Sequence, residues 1–203
     1  MIIISVSGKA SNVGKTTLVS HIIKNLKCQV AVIKTSIHDE LEDIIVSDNP
    51  EIINENGTDT AIFKESGAEN VVYLRSDYEH LEESYKKARE LLDDDIEYLI
   101  IEGNSILDFI SPTLIFYLES TNLEAKDSAN RARSCSDIII ENKNLDRLIA
   151  DGNSMTFKLN FDSISCFDSH LICKTLNIKI PLLGKLLEKE DIKIRYCQLG
   201  LFK

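Results

Sequence analysis

The chain has 203 residues, of which 43% are hydrophobic and 28% are charged, and its formal net charge is −10. This size and composition suit one soluble α/β domain with a small appendage, and no apolar run is long enough to span a membrane. The negative charge also argues against non-specific attraction to nucleic acid.

The first predicted elements are an apolar strand, a loop of small residues and a helix, with Gly14-Lys15-Thr16-Thr17 where the loop meets the helix. Apolar residues then recur at helical spacing at Leu18, Val19, Ile22, Ile23 and Leu26. This context predicts a phosphate-binding loop, because backbone N–H groups and the positive end of the helix converge on a polyphosphate there. Lys15 is expected to add a point charge, and the Thr16 hydroxyl is expected to bind Mg²⁺. The nucleotide-binding residues expected in this segment are Gly8, Lys9, Ser11, Asn12, Val13, Gly14, Lys15, Thr16 and Thr17.

The loop is one residue longer than the usual phosphate-binding loop. Five residues separate Gly8 from Gly14, where the common motif has four. Lys9 stands where the first glycine of that motif normally falls. A similar long form appears in the dethiobiotin synthetase and cobyrinic acid amide-synthetase families, which this segment resembles. Lys9 could contact the phosphates, the base or a partner's nucleotide, or it could be an exposed lysine in solvent.

Beyond the first helix, strands alternate with helices. We expect strands at 29–34, 70–74, 96–101, 112–118 and 137–140, and helices at 58–66, 77–93 and 124–133. The polar and acidic segment 35–57 has little periodicity and is expected to be a long connection beside the nucleotide. The alternation predicts a doubly wound, mainly parallel sheet of the P-loop NTPase type, with ligands at the carboxyl ends of its strands.

Two acidic residues are candidates for metal binding and catalysis. Glu102 ends an apolar strand at the sheet edge that carries the phosphate loop. A protein usually gives a nucleotide-bound Mg²⁺ one or two carboxylates, so Glu102 is the expected second contact, with a solvent-facing acid as the alternative. Asp39 follows the second strand and is a further metal or water-positioning candidate. The expected catalytic set is therefore Lys15, Glu102 and Asp39, and the expected metal ligands are Thr16, Glu102 and Asp39. Asp59 is equally well explained as part of a helix N-cap.

Several motifs occur in the order found in one protein family. They are Gly14-Lys15-Thr16-Thr17, Val30-Ala31-Val32-Ile33-Lys34, Asp59-Thr60, Ser66-Gly67-Ala68, Val71-Val72 and Leu99-Ile100-Ile101-Glu102-Gly103. Residues 2–119 thereby resemble molybdopterin-guanine dinucleotide biosynthesis protein B. The resemblance implies GTP binding with Mg²⁺, an accessory role in molybdenum-cofactor maturation with a protein partner, and a homodimer. The residues to which it assigns phosphate or metal contacts are Lys15, Thr16 and Glu102 and, more weakly, Asp39 and Asp59.

The expected base preference depends on a motif that follows the last predicted strand. Asn142 and Lys143 stand where guanine-specific proteins carry Asn-Lys-x-Asp, but Asp146 falls one residue late. Chance similarity is as good an explanation as base recognition, and GTP stays ahead of ATP by family analogy. Thr35 also departs from the family, since a histidine usually follows the lysine of the second strand.

The sequence divides into a nucleotide-binding domain at residues 1–152 and a small C-terminal module at residues 153–203. In the module, apolar spacing predicts a helix, a turn near Asn177, a second helix from Pro181 and then a strand. This order is typical of a helix-turn-helix with a wing. The second helix offers only two lysines, at positions 185 and 189, so protein docking is favoured over DNA binding.

Five cysteines are scattered along the chain, an odd number that argues against a disulfide scaffold. Cys166, His170 and Cys173 fall on one helical face, and Cys197 could complete four soft ligands for zinc or an iron–sulfur cluster. A C-x-x-C knuckle is absent, and buried core thiols are the alternative.

The N-terminus lacks the basic region of a signal peptide, so a cytoplasmic protein is expected.

These features support three hypotheses about function. The first is a nucleotide-binding accessory protein related to the molybdenum-cofactor factor, acting as a slow GTPase. The second is an ATP-dependent synthetase of the dethiobiotin or cobyrinic type, which the loop spacing favours. The third is a nucleotide-sensing regulator that acts through the C-terminal module.

Overall fold

The computed structural model describes residues 1–38, 43–121, 125, 127–151 and 156–196. Its main sheet contains β1 Ile2–Gly8, β2 Val30–Ile37, β3 Ile45–Ser47, β4 Asn70–Ser76, β5 Tyr98–Glu102, β6 Leu114–Glu119, β7 Ile138–Glu141 and β8 Phe157–Leu159. In space, the order of these described strands is β3-β4-β2-β5-β1-β6-β7-β8. The inner strands are parallel, and only β3 and β8, the two edges, run antiparallel to their neighbours.

Helices cover both faces of this sheet. They are α1 Lys15–Leu26, α2 Pro50–Ile53, α3 Asp59–Glu65, α4 Leu81–Glu90, α5 Asp127–Ser134, α6 Asn142–Ala150, α7 Cys166–Leu176 and α8 Ile180–Lys189, with a 3₁₀ turn at Ser105–Asp108. Successive strand residues point to opposite faces. In β5, Ile100 packs in the cluster that contains Leu18 of α1, whereas Leu99 and Ile101 pack in the cluster that contains Leu81 of α4. This arrangement confirms the predicted doubly wound, mainly parallel α/β architecture.

The segment between residues 35 and 57 is more ordered than the sequence pattern predicts. β2 continues to Ile37, β3 pairs with β4, and α2 forms one turn of helix. Asn49 caps α2, because its side chain accepts a hydrogen bond from the Glu51 N–H at 3.0 Å. These elements are too short to show periodicity in the sequence, so the expectation of one long connection was wrong. Asp39, the predicted metal candidate, lies outside the described residues.

The C-terminal helices pack on the same hydrophobic core as the main sheet and α1. Leu171, Ile172 and Leu176 of α7 belong to the hydrophobic cluster that contains Leu18 and Ile22 of α1. The predicted helix, turn and helix are present as α7 and α8. The strand after them, β10 (Lys193–Arg195), pairs in parallel with β9 (Ser163–Ser165), the strand before α7.

The predicted wing would be an antiparallel hairpin, whereas this pair of strands encloses the two helices. β8, which follows the predicted boundary at residue 152, is the outer strand of the main sheet. The division of the chain into two units stays a prediction. Among the described residues, no helix is both long and apolar enough to cross a membrane.

Candidate phosphate and metal site

The loop between β1 and α1 is fastened to the carboxyl end of β5. The Gly8 N–H donates to Asn104 Oδ1 at 3.0 Å, and Asn104 Nδ2 donates back to the Gly8 carbonyl at 2.9 Å. The Ser7 hydroxyl donates to the Gly103 carbonyl at 2.8 Å. A Cβ on Gly103 would lie 1.9 Å from the hydroxyl oxygen of Thr35, so no larger residue fits there. These contacts fix where the phosphate loop begins.

The loop ends in a left-handed turn that opens α1. Gly14 has φ = 98°, a conformation that a side chain disfavours. Directly after it, the Lys15 ammonium donates to the Ala10 carbonyl at 2.8 Å and so crosses the loop. Burial lowers the pKa of Lys15, although the nearby carboxylate of Glu102 opposes this effect. A polyphosphate bound here would offer the Lys15 ammonium anionic acceptors in place of one carbonyl oxygen.

A cleft of about 370 Å³ lies over this helix start. Its lining residues are Ser11, Asn12, Gly14, Lys15, Thr16, Thr17, Lys34, Asp59 and Glu102. The positive end of α1 and the loop's backbone N–H groups are the features that attract an anion to such a position. The cleft therefore has the surroundings of a phosphate site.

Two carboxylates and a lysine meet on one side of this cleft. The Thr16 hydroxyl donates to Asp59 Oδ1 at 2.7 Å. The Lys34 ammonium lies 2.6 Å from Asp59 Oδ2 and 2.5 Å from Glu102 Oε1. Glu102 is 1% exposed, and its other oxygen, Oε2, has no hydrogen-bond partner within the described residues. Glu102 Oε2 is thus a buried acceptor oxygen that accepts no hydrogen bond from the described residues.

The three ionised groups shift one another's pKa values. Burial raises the pKa of Glu102, and the positive charge of Lys34 only partly offsets this. Burial alone would lower the pKa of Lys34, but the two carboxylates hold it above its ordinary value. Burial also raises the pKa of Asp59, and the hydrogen bonds from Lys34 and Thr16 outweigh it, so the net shift is downward. Charge pairing therefore keeps Lys34 and Asp59 ionised in a partly buried place.

These donors fit a hard divalent cation. Mg²⁺ prefers oxygen ligands and takes one or two carboxylates from the protein, leaving other positions to phosphate and water. Thr16, Asp59 and Glu102 offer a hydroxyl and two carboxylates on one side of the phosphate cleft. The unpartnered Oε2 of Glu102 is the kind of buried acceptor that a metal would satisfy.

The predicted loop residues do not all face the cleft. Ser11, Asn12, Gly14, Lys15, Thr16 and Thr17 line it together with Glu102. Val13 is buried, and its carbonyl accepts a hydrogen bond from Asn142 Nδ2 at 2.7 Å. The Lys9 ammonium turns toward β6, where it bonds the Ser120 carbonyl at 2.9 Å and lies 3.5 Å from Glu119.

The residues proposed to read the base lie on the other side of the loop. Through its side chain, Asn142 joins the start of α6 to the phosphate loop. Lys143 is exposed and pairs with Glu141 at 2.9 Å. A hollow of about 110 Å³ lies there. Its lining residues are Glu119, Ser120, Thr121, Glu141, Asn142 and Lys143.

Two residues at this site were missed in the sequence. Lys34 is the register partner of Glu102 across the parallel strands β2 and β5, so both side chains reach the same sheet edge. Asn104 closes the loop onto β5. Asp59 was predicted either as part of a helix N-cap or, through the family resemblance, as a weaker phosphate or metal contact. In the structure, Thr58 is the N-cap of α3 and accepts from the Ala61 N–H at 3.3 Å. This leaves the Asp59 carboxylate facing the cleft.

The proposed soft-metal set has no counterpart among the described residues. They contain no group of three or more His, Cys, Asp and Glu side chains arranged to hold a metal. Cys173 is buried in the core, and burial raises its pKa to about 11. Cys197 lies outside the described ranges.

Comparisons with known proteins give little similarity. No protein-family model matches the chain, and no curated protein matches its sequence. A search of solved structures matches HypB from Helicobacter pylori, determined in complex with nickel, at 13% identity and a TM-score of 0.43, over 95% of this chain and 77% of that one.

Proposed function

We propose that the chain binds a nucleoside triphosphate with Mg²⁺ and hydrolyses it slowly. The observation that carries this proposal is the convergence of Lys15, Thr16, Asp59 and Glu102 at the N-terminus of α1. A loop fixed at one end by Asn104 and opened by Gly14 places backbone N–H groups beside them. These are the parts that a phosphate-binding loop requires.

Each of these residues has a separate task. Lys15 gives up the Ala10 carbonyl and neutralises charge on the polyphosphate. Thr16, Asp59 and Glu102 would hold Mg²⁺, which supplies positive charge beside the phosphate oxygens. The buried position of Glu102 strengthens its electrostatic effect, since the cleft wall around it contains little water.

Hydrolysis is proposed to be slow because the cleft lacks the groups that accelerate it. Among the described residues, those that line the cleft include no arginine and no histidine. Arg131 is engaged with Asp108 at 3.0 Å, and Arg133 with Glu119 at 2.6 Å. A cation that stabilises the transition state can raise the rate of phosphoryl transfer by about 10³-fold or more. Without such a cation in the cleft, hydrolysis is proposed to proceed at a basal rate.

The finer assignment follows the family resemblance. We propose GTP over ATP, a cytoplasmic homodimer, and an accessory role with a protein partner in molybdenum-cofactor maturation or a related step. The C-terminal module, in which the paired strands β9 and β10 enclose α7 and α8, is proposed as the docking unit for that partner. An alternative proposal is a nucleotide-sensing regulator that acts through the same module. These proposals stand on the motifs that end at Glu102 and on Asn142 and Lys143 beside the loop.

A second candidate function is an ATP-dependent synthetase of the dethiobiotin or cobyrinic type. The long loop favours it, and so does a further cleft of about 360 Å³ that shares Lys15, Lys34 and Glu102 with the phosphate site. This cleft extends past Ser36 and Asn104 and has room for a second substrate. Release of ADP that depends on added substrate would favour the synthetase, and release without it would favour the accessory protein.

Calorimetric titration tests the proposed function. GTP and ATP, each with and without Mg²⁺, are titrated into the native chain, Lys15→Ala and Lys64→Ala, the last an exposed lysine on α3. We expect Lys15→Ala to weaken binding roughly 10- to 100-fold, because a charged hydrogen-bond donor to the phosphates is lost. Lys64→Ala should bind as the native chain does. Equal affinity in Lys15→Ala would place the nucleotide elsewhere.

A further inference from the structure

We propose that Lys34 occupies the metal position in the nucleotide-free protein and so makes metal binding depend on nucleotide. This inference rests on the proposed function and assigns Lys34 a regulatory role at the same site. At this site, the Lys34 ammonium is an internal cation that a divalent ion must displace.

The geometry places the ammonium where the metal would sit. Lys34 Nζ lies between Asp59 Oδ2 at 2.6 Å and Glu102 Oε1 at 2.5 Å. These carboxylates, with the Thr16 hydroxyl, are the donors that fit Mg²⁺. The Thr16 hydroxyl at present donates to Asp59 at 2.7 Å. A divalent ion bound to Asp59 and Glu102 would lie directly beside the Lys34 ammonium on the same two carboxylates. Repulsion between the two cations therefore opposes their binding together, and the ammonium must move away when the ion binds.

The charge balance explains why a metal alone is a poor competitor. Lys15 and Lys34 oppose Asp59 and Glu102, so the formal charge of the cluster is 2 − 2 = 0. A divalent ion that entered without nucleotide would leave the cluster at +2. A polyphosphate brings negative charge with the metal and gives the displaced ammonium new acceptors.

The Lys34 side chain has room to move, but most of it is shielded from solvent. Its side chain is 18% exposed, so leaving both carboxylates without a new partner would strand a partly buried charge. It lines the phosphate cleft, the cleft past Asn104 and a third cleft beside Thr60. The ammonium can therefore shift from the carboxylates to phosphate oxygens while it stays at the site. Metal and nucleotide then bind as one unit.

The test measures binding of Mn²⁺ to the nucleotide-free protein by electron paramagnetic resonance. Mn²⁺ replaces Mg²⁺ as the probe. The proteins are the native chain, Glu102→Gln, Lys34→Met, Lys34→Met with Glu102→Gln, and Lys64→Met. We expect Lys34→Met to bind Mn²⁺ about tenfold more tightly or better than the native chain, because two carboxylates lose their cation. The added Glu102→Gln change should abolish this gain, and Lys64→Met, which removes an exposed lysine, should match the native chain.

Two results would overturn the inference. One is a Mn²⁺ site in the native chain that Glu102→Gln removes, and the other is a folded Lys34→Met that gains no Mn²⁺ affinity. If circular dichroism shows that Lys34→Met does not fold, Lys34→Gln is used in its place. The measurement on the native chain requires no substitution at Lys34, so it tests the inference in either case. A fluorescent nucleotide analogue with Mg²⁺ is titrated in parallel. If the analogue does not bind, the proposed function is refuted. The Mn²⁺ comparison tests only the role of Lys34.

Discussion

The two ends of α1 meet different surroundings. At its start, Lys15 and Thr16 face ionised groups that satisfy one another in a partly buried cleft. In its second half, Ile22 and Leu26 are buried in the apolar cluster shared with α7. Asn25 extends this contact by donating to the Thr175 carbonyl of α7 at 3.0 Å. The same helix is therefore polar and charged where it lines the cleft and apolar where it packs against α7.

This difference separates function from stability. Burying apolar side chains stabilises a fold without any ligand, by about 25 cal/mol for each Å² removed from water. Burying an ion pair gains little net free energy, because the loss of hydration offsets the attraction. The anchored half of α1 should therefore carry stability, and its first turn should carry ligand binding. Substitutions at the two ends of α1 test this separation.

The largest expected effect lies in the anchored half. Ile172→Ala removes a fully buried side chain of α7 from the cluster shared with α1 and should lower the free energy of unfolding by about 3 kcal/mol. Phe167→Ala, at a side chain that is 49% exposed on the same helix, should change it by less than about 0.5 kcal/mol. Urea denaturation followed by circular dichroism measures both. Two separate unfolding transitions would show that α7 does not share the core of the main fold.

The next effect lies in the charge cluster. Glu102→Leu removes the buried partner of Lys34 and should cost about 2 kcal/mol, less than a complete loss of pairing because Asp59 remains. Lys34→Met alone should also destabilise the protein, since it leaves two carboxylates together. The double variant should be more stable than the sum of the single effects predicts, as measured by urea denaturation in a double-mutant cycle. Additive effects would mean that the pair is not coupled.

A smaller effect is expected where α3 begins. Thr58 caps this helix, so Thr58→Ala should lower the free energy of unfolding by about 1 kcal/mol. Thr58→Ser keeps the hydroxyl and should stay close to the native value in the same denaturation experiment. Asp59 is held in the cleft by this helix start, so the alanine variant should also bind Mg²⁺-nucleotide more weakly in calorimetry. If Thr58→Ala is as stable as the native chain, the contacts of Asp59 with Thr16 and Lys34 are sufficient to hold it in place.

The elements with a local signal were predicted correctly from the sequence. The order of β1, loop and α1 and the burial of Leu18 and Ile22 follow from a short motif and helical spacing. The meeting of Lys34 with Glu102 does not, because it depends on β2 and β5 being neighbours in the sheet, a fact that no short motif contains. Asp59 is a similar case, since its local pattern indicates a cap and only the tertiary fold brings it to Thr16.

The missed elements have the same physical origin. β3 has three residues and α2 has four, so neither is long enough to display a period. The parallel pairing of β9 with β10 joins segments separated by two helices. The two C-terminal helices and β10 were predicted from the sequence, whereas β9, with three residues, was not.

The smallest predicted effect is a pH dependence that arises from Asp59. Its pKa is held below the ordinary value of 3.8, so its stabilising contribution is complete above 3.8 and is lost as the pH falls below it. Glu102 acts in the opposite direction, because burial raises its pKa and the folded protein takes up its proton more readily in acid. We expect the free energy of unfolding of the native chain to fall more steeply as the pH is lowered below about 4 than that of Asp59→Asn. Thr16→Val, which removes only the hydroxyl donor to Asp59, should give an intermediate slope in urea denaturation across this range. Identical slopes in all three proteins would mean that Asp59 is no better stabilised as an anion in the folded state than in the unfolded chain.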